Sequence, residues 1–408
     1  MDASTTENDR TTSGSSLIGL LYAARALRGF GDGFAIIVLP AYLTALGFDA
    51  VAVGIVATAS LLGTALLTLA IGWIAPRFDL RALLLFGAGL MTATGFAFPN
   101  VEHLTLIVLV AFVGTINPSG GDIGIAVPLE HAVLARTASD AQRTRVVARY
   151  SLIGALCGAA GSLAASLPDF WVGSGGTELG AFKLMFYAYA ALGVICALLY
   201  RRAPQAHAEE KAHALLGPSR RTVYKLAALF AVDSFAGGFV AQSLLALWLF
   251  QRFDLSLSAA AVFFFWASTL SAFSYPVAAR IARRIGLVNT MVFTHIPSSI
   301  FLIAAAFAPN LYVALALLLL RSALSQMDVP TRTSYVMAVV TPAERPAAAS
   351  VTAVPRSLAS SIGPAIAGLL LTTSFSGLPL VVCGVLKIAY DLALLVSFRH
   401  IKPPEERE

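Results

Sequence analysis

The chain has 408 residues, of which 58 % are apolar and 12 % charged, and its mean hydropathy is +0.79. Soluble chains carry about a quarter charged residues, so this composition excludes a water-soluble protein of two or three domains and makes lipid the solvent for most of the chain. The formal charge of +6 invites a nucleic-acid partner, but Lys and Arg sit in short stretches between apolar segments, and that distribution excludes it.

Residues 1–15 form a polar stretch without the charged start and short apolar core of a signal peptide, and are expected to be a disordered cytoplasmic tail. A first bundle is expected over 16–200. Its apolar segments are one (16–46), two (51–75), three (82–99), four (104–134), five (150–167) and six (182–200). A hydrophilic loop, 201–225, separates them from a second bundle over 226–398. There lie segments seven (226–250), eight (258–279), nine (288–308), ten (312–340), eleven (350–373) and twelve (378–398), before a polar tail at 399–408. Most reach about twenty residues, the length that crosses a hydrocarbon core of about 30 Å as a helix.

With both termini in the cytoplasm, the positive residues between segments fall on the inner side, and the outer loops hold only Lys183 and Arg252. That is the asymmetry of a multi-pass cell-membrane (inner or plasma membrane) protein with an even number of crossings. Cys157, Cys196 and Cys383 lie singly within apolar segments, which supports neither a disulfide framework nor a thiolate metal site. The second half echoes the first: Phe30, Gly33, Phe34, Phe48 and Asp49 align at constant offset with Phe235, Gly238, Phe239, Phe253 and Asp254. Internal duplication of this kind marks transporter halves related by an axis along the membrane normal.

These features resemble the major facilitator superfamily over essentially the whole chain. Between segments two and three the family pattern keeps Gly72, Arg77 and Arg81, with Pro76 in place of its Asp and Asp79 in place of its second Gly; the second copy keeps Arg283, Arg284 and Gly286. The Arg usual in segment four of the family's drug exporters appears instead as Arg321 of segment ten, and the Gly-Pro antiporter mark appears only at Gly363 and Pro364. The fold implied is an all-α integral membrane protein of twelve transmembrane helices in two pseudo-symmetric six-helix bundles. The resemblance implies a monomeric secondary transporter working by alternating access on a small-molecule substrate, with efflux by proton antiport expected and uptake by proton symport as the alternative. A receptor or scaffold, or a lipid scramblase, is the alternative of another class. No phosphate-cradling GxxxxGK[ST] sequence is present to drive an ATP pump, and no nucleophile or metal constellation points to an enzyme, so no cofactor is expected.

Charges inside membrane helices cost about 2.5–3.5 kcal/mol on insertion scales unless paired or hydrated, so they are candidate sites. Arg25, Arg28 and Asp32 share one face of segment one, and the i, i+4 spacing of Arg28 and Asp32 suits an ion pair. Arg321, Ser325, Asp328 and Arg332 form a stripe in segment ten, interrupted by Pro330. With Asn117 and Asp122 in the polar run of segment four, and Asp233 and Gln242 in segment seven, Arg28, Asp32, Arg321 and Asp328 make up the expected proton-coupling and substrate cavity. Asp32 is the expected coupling carboxylate, and Asp328 is expected to be balanced by Arg356. An inner gate is expected at Gly72, Arg77, Asp79, Arg81, Arg283, Arg284 and Arg356. Lys387 and Asp391, four residues apart in segment twelve, read as a structural pair, and Glu130 beside His131 lacks the spacing of a zinc site.

Overall fold

A computed structural model describes residues 3–120, 124–137, 140–203, 205 and 216–401, and among these there is no strand. The first half comprises α1 (Ala3–Ala45), α2 (Ala50–Ile74), α3 (Leu80–Ala97), α4 (Leu104–Val113), α5 (Ala126–Thr137), α6 (Asp140–Ala164), α7 (Leu167–Gly173) and α8 (Glu178–Tyr200). The second comprises α9 (Arg220–Gly238), α10 (Gln242–Phe253), α11 (Leu257–Ile285), α12 (Leu287–Ala306), α13 (Leu311–Ser325), α14 (Asp328–Ala338), α15 (Arg345–Leu371) and α16 (Leu378–Phe398). Eleven stretches of these are long and apolar enough to cross a membrane. Predicted segment four is represented by two shorter helices, α4 and α5, of which α4 is apolar.

Three predicted segments are broken helices: four (α4, α5), seven (α9, α10) and ten (α13, α14). Local chemistry explains each break. In segment four, Asn117 donates through Nδ2 to the Gly120 carbonyl (3.1 Å) and accepts from the Ser119 amide (3.0 Å), replacing helical partners with its own side chain. Pro118 supplies no N–H, and its carbonyl accepts from the Ser243 amide at the start of α10 (3.0 Å), so the breaks of segments four and seven satisfy each other across the halves. In segment ten, Pro330 occupies the first turn of α14, where an N–H has no intrahelical partner to lose. Irregular backbone at membrane depth persists where it is buried in protein or lines a cavity, and a cavity is where these breaks meet.

Lipid gives helices little hydrophobic reason to associate, so close packing of small residues has to hold them together. A Cβ on Gly33 of α1 would lie 2.0 Å from the Gly158 carbonyl oxygen of α6, and one on Gly363 of α15 would lie 2.6 Å from the Gly238 carbonyl carbon of α9. The offset that carries Gly33 to Gly238 also carries Gly158 to Gly363, so the duplication seen in sequence is a duplicated helix contact. Between the halves, the Ala365 amide of α15 donates to Thr58 Oγ1 of α2 (2.9 Å). Asp169 of α7 caps α11 from the other half, accepting from the Ser258 amide (2.9 Å) and hydroxyl (2.6 Å). These last two links lie toward the end of the molecule that carries the α1–α2 and α10–α11 turns, and they hold the halves together there.

Candidate functional site

A cavity of about 180 Å³ opens between the broken helices. Ser119 of segment four, Gln242 at the head of α10, and Arg321 with Gln326 at the end of α13 bring all three breaks to its wall. Phe263 and Phe264 of α11 supply an apolar side, and His295, Ser298 and Lys387 come from α12 and α16. Two of the expected cavity residues, Gln242 and Arg321, line it directly.

Beneath this wall runs a chain of charges. The Lys387 ammonium donates to Asp233 Oδ1 (2.6 Å), and Arg332 Nη1 donates to Asp233 Oδ2 (3.2 Å) and lies 2.9 Å from Asp328 Oδ2. His295 Nδ1 lies 3.1 Å from the Asp391 carboxylate, while its Nε2 lies 3.3 Å from Lys387 Nζ. Asp233, Asp328, Asp391, His295 and Arg332 are all buried. Each carboxylate of this chain therefore has a cationic or imidazole neighbour. Arg321 has no ion-pair partner among the described residues, and Arg356 donates to the Ser234 hydroxyl (3.2 Å).

A second cluster sits in the first half. Glu130, fully buried on α5, accepts from Arg28, from the Tyr150 hydroxyl and from the Tyr200 hydroxyl (2.6 Å). Arg25 stacks over the Tyr150 ring at 5.4 Å. Tyr189 donates to Asp32 (3.3 Å) and stands 3.3 Å from the Thr115 hydroxyl. Arg28 and Asp32 do not line the 180 Å³ cavity.

Four expectations change with this geometry. Arg28 pairs with Glu130 on another helix and not with Asp32 one turn away, because the Glu130 carboxylate is fully buried and needs a cation. Asp328 pairs with Arg332 at i, i+4, leaving Arg356 on Ser234. Lys387 and Asp391 are not partners: Lys387 reaches Asp233 and Asp391 takes His295. Asn117 holds the break of segment four with its own amide and does not line the 180 Å³ cavity, and Asp122 lies outside the described residues. At the expected inner gate, Asp79 caps α3 by accepting from the Arg81 amide (3.2 Å) and Arg77 stacks over Trp73 at 5.7 Å. Gly72 has open space where a side chain would project, and Arg283 with Arg284 lies exposed in the last turn of α11. Glu130, His295 and Lys387 are the functional candidates that spacing rules pass over; each is an ionisable group inside an apolar segment, which is the signal that marks them.

Two helical halves meeting at a polar cavity built by discontinuous helices is the architecture of a secondary transporter and not of an enzyme. The chain belongs to the Major Facilitator Superfamily, whose model matches residues 21–319 and 227–408. It is 26 % identical over 420 aligned positions to an uncharacterized membrane protein of Saccharomyces cerevisiae, covering 93 % of this chain and 94 % of that one. Among solved structures it is similar to the nucleoside transporter NupG, at 16 % identity and TM-score 0.74 over 94 % of this chain and 99 % of that one. It is also similar to the inward-open xylose transporter XylE from E. coli, at 14 % identity and TM-score 0.73 over 97 % and 98 % of the two chains.

Proposed function

We propose that this protein carries a small organic anion across a cell membrane by proton-coupled alternating access, with Arg321 holding the anionic group. The observation that carries the reading is Arg321 itself, a cation on the cavity wall with no ion-pair partner among the described residues. Around it, Arg321, Arg332, Arg356 and Lys387 outnumber Asp233, Asp328 and Asp391, so this cluster holds one more cation than it has carboxylates to match. A charge removed from bulk water needs a counter-charge, and a substrate carboxylate or phosphate supplies it. Serine hydroxyls and Gln242 offer further donors, and Phe263 with Phe264 receives an apolar body. An aspartate-rich cation site is disfavoured because these aspartates already hold protein cations.

The charge asymmetry of the loops supports cytoplasmic termini in a plasma or inner membrane, and on that orientation the links at Thr58 and Asp169 hold the outer side together. It acts as a monomer in this reading. Anion binding is tested by calorimetry on the purified protein with benzoate and with inorganic phosphate. Arg321→Gln removes charge-assisted hydrogen bonds of about 1.5–3 kcal/mol and is expected to weaken binding about ten- to hundredfold. Undiminished binding to the variant overturns the assignment.

A further inference from the structure

We propose that His295 is the proton-binding site, and that its protonation releases Lys387 from Asp233 into the cavity, so that proton and anion are bound together. This rests on the anion reading of Arg321 and adds to it a sign of coupling. Co-binding is the arrangement of a symporter, whereas the sequence alone leads to an expectation of antiport.

The geometry fixes the starting tautomer. A lysine ammonium has three donors and no acceptor, so Nε2 of His295, 3.3 Å from Lys387 Nζ, has to present its lone pair to that ammonium. Nδ1 then carries the hydrogen and donates to Asp391 (3.1 Å). The ring is neutral in this state, held between a cation and a carboxylate. The Asp391 carboxylate is buried, and His295 Nδ1 lies 3.1 Å from each of its two oxygens, so a negative group stands directly beside the imidazole.

A proton arriving at the Nε2 lone pair makes that nitrogen a donor, which faces the Lys387 ammonium across 3.3 Å. Two N–H donors cannot share that contact. Asp233 Oδ1 lies 3.9 Å from Nε2 and is the same oxygen that Lys387 grips at 2.6 Å, so the imidazolium and the ammonium compete for it. Asp233 keeps Arg332 in either case. Lys387 and His295 both line the cavity that Arg321 faces, and a displaced ammonium has that cavity to enter. The balance is one proton gained at His295, no proton lost at Lys387, and one positive charge added to the wall. An anion then meets Arg321 and Lys387 together. By linkage, if protonation tightens anion binding by some factor, anion binding tightens proton binding by the same factor.

Charged and titratable groups reach His295 from several helices. From α16 come Lys387, Tyr390 and Asp391, with the Tyr390 ring 6.2 Å from the imidazole. α9 brings Asp233, α13 brings Arg321 on the shared cavity wall, and α14 brings Asp328 and Arg332 through Asp233. The α11 side of the cavity is uncharged.

The test measures protons and anion separately on the full-length protein in lipid nanodiscs. Benzoate and inorganic phosphate, each matched in pH to the sample, are added to a weakly buffered solution carrying a pH indicator, with heats of binding recorded in parallel. Wild type is expected to take up protons as anion binds, approaching one per protein. His295→Gln and His295→Asn are expected to bind anion with weakened affinity while taking up none. Ring-nitrogen NMR of the histidines, assigned with the same variants, is expected to show His295 as the Nδ1–H tautomer before anion is added. Proton release on binding, or uptake that survives both variants, or an Nε2–H tautomer, overturns the proposal while leaving Arg321 as the anion site. Absence of any binding heat with either anion in wild type removes the Arg321 reading and this one with it.

Discussion

Asp233→Asn is the perturbation whose cost the structure lets one work out most closely. Asp233 is buried and shared by two cations, Lys387 at 2.6 Å and Arg332 at 3.2 Å. Removing its charge does not orphan both, because Arg332 keeps Asp328 at 2.9 Å. Only Lys387, partly exposed on the cavity wall, is left as a cation without a carboxylate, which sets an upper bound of one broken buried pair, about 3–5 kcal/mol. Lys387→Gln is the milder change: Asp233 retains Arg332, and the loss is that of a charge-assisted hydrogen bond, about 1.5–3 kcal/mol. Neutralising both removes the orphan, so the double variant should be more stable than Asp233→Asn alone. At about 1 °C per kcal/mol for a chain of this length, the aspartate variant should lower the melting midpoint by on the order of 3–6 °C. Thermal unfolding in nanodiscs, followed by tryptophan fluorescence, reads all three. Equal losses in the two single variants, or a double variant no better than Asp233→Asn, would refute the shared-carboxylate account.

Three further substitutions probe packing, burial and closure. Gly33→Val places a branched side chain where the Gly158 carbonyl already stands 2.0 Å from the Cβ position, and should abolish recovery of folded protein by size-exclusion chromatography; the same change at Gly19, which has open space, should not. Glu130→Gln leaves Arg28 without its carboxylate and should destabilise by about 3–5 kcal/mol, and a loss under about 1 kcal/mol, the scale of a single neutral hydrogen bond, would mean that Tyr150 and Tyr200 carry the cluster without the charge. Asp169→Ala removes the cap that joins α7 to α11 across the halves and should increase thiol-reagent labelling of a cysteine placed at Ala259; unchanged labelling would show that this contact does not hold that end closed.

The fold is legible in the sequence because lipid imposes few choices. Apolar runs of membrane length, one hydrophilic interruption and the placement of Lys and Arg lead to two bundles of six before any tertiary contact is considered. Gly33 and Gly238 are visible as a repeat, although their partners Gly158 and Gly363 become meaningful only as close contacts. The polar run of segment four flags a region unfit for lipid, and the structure turns it into a broken helix completed by the Ser243 amide from the other half. The site is legible in part. Arg321, Gln242, Asp233 and Asp328 stand out as polar groups in apolar helices, and all four lie on or beneath the cavity wall.

Partner choice is legible for Asp328 and Arg332, an i, i+4 pair on α14, but not for the other charges. Spacing along one helix proposes i, i+4 pairs such as Arg28 with Asp32 or Lys387 with Asp391, whereas a buried carboxylate is satisfied by whichever cation the bundle brings nearest. Glu130 and Asp233 each take cations from other helices for that reason. The position of segment twelve in the chain gives no sign that Lys387 reaches the cavity, yet a lysine stem is long enough to cross from α16 to its wall.

Transport of a small anion through the Arg321 cavity, with protons moving alongside, is measured most directly in liposomes. Purified protein is reconstituted into vesicles loaded with a mixture of metabolites, a pH gradient is imposed, and the trapped solutes are analysed by mass spectrometry, so that no substrate has to be chosen in advance. The account predicts that one or more anionic solutes redistribute in the direction of the proton gradient, and that Arg321→Gln stops this redistribution while the protein stays folded. Selective movement of cationic or neutral solutes, indifferent to Arg321, would contradict it.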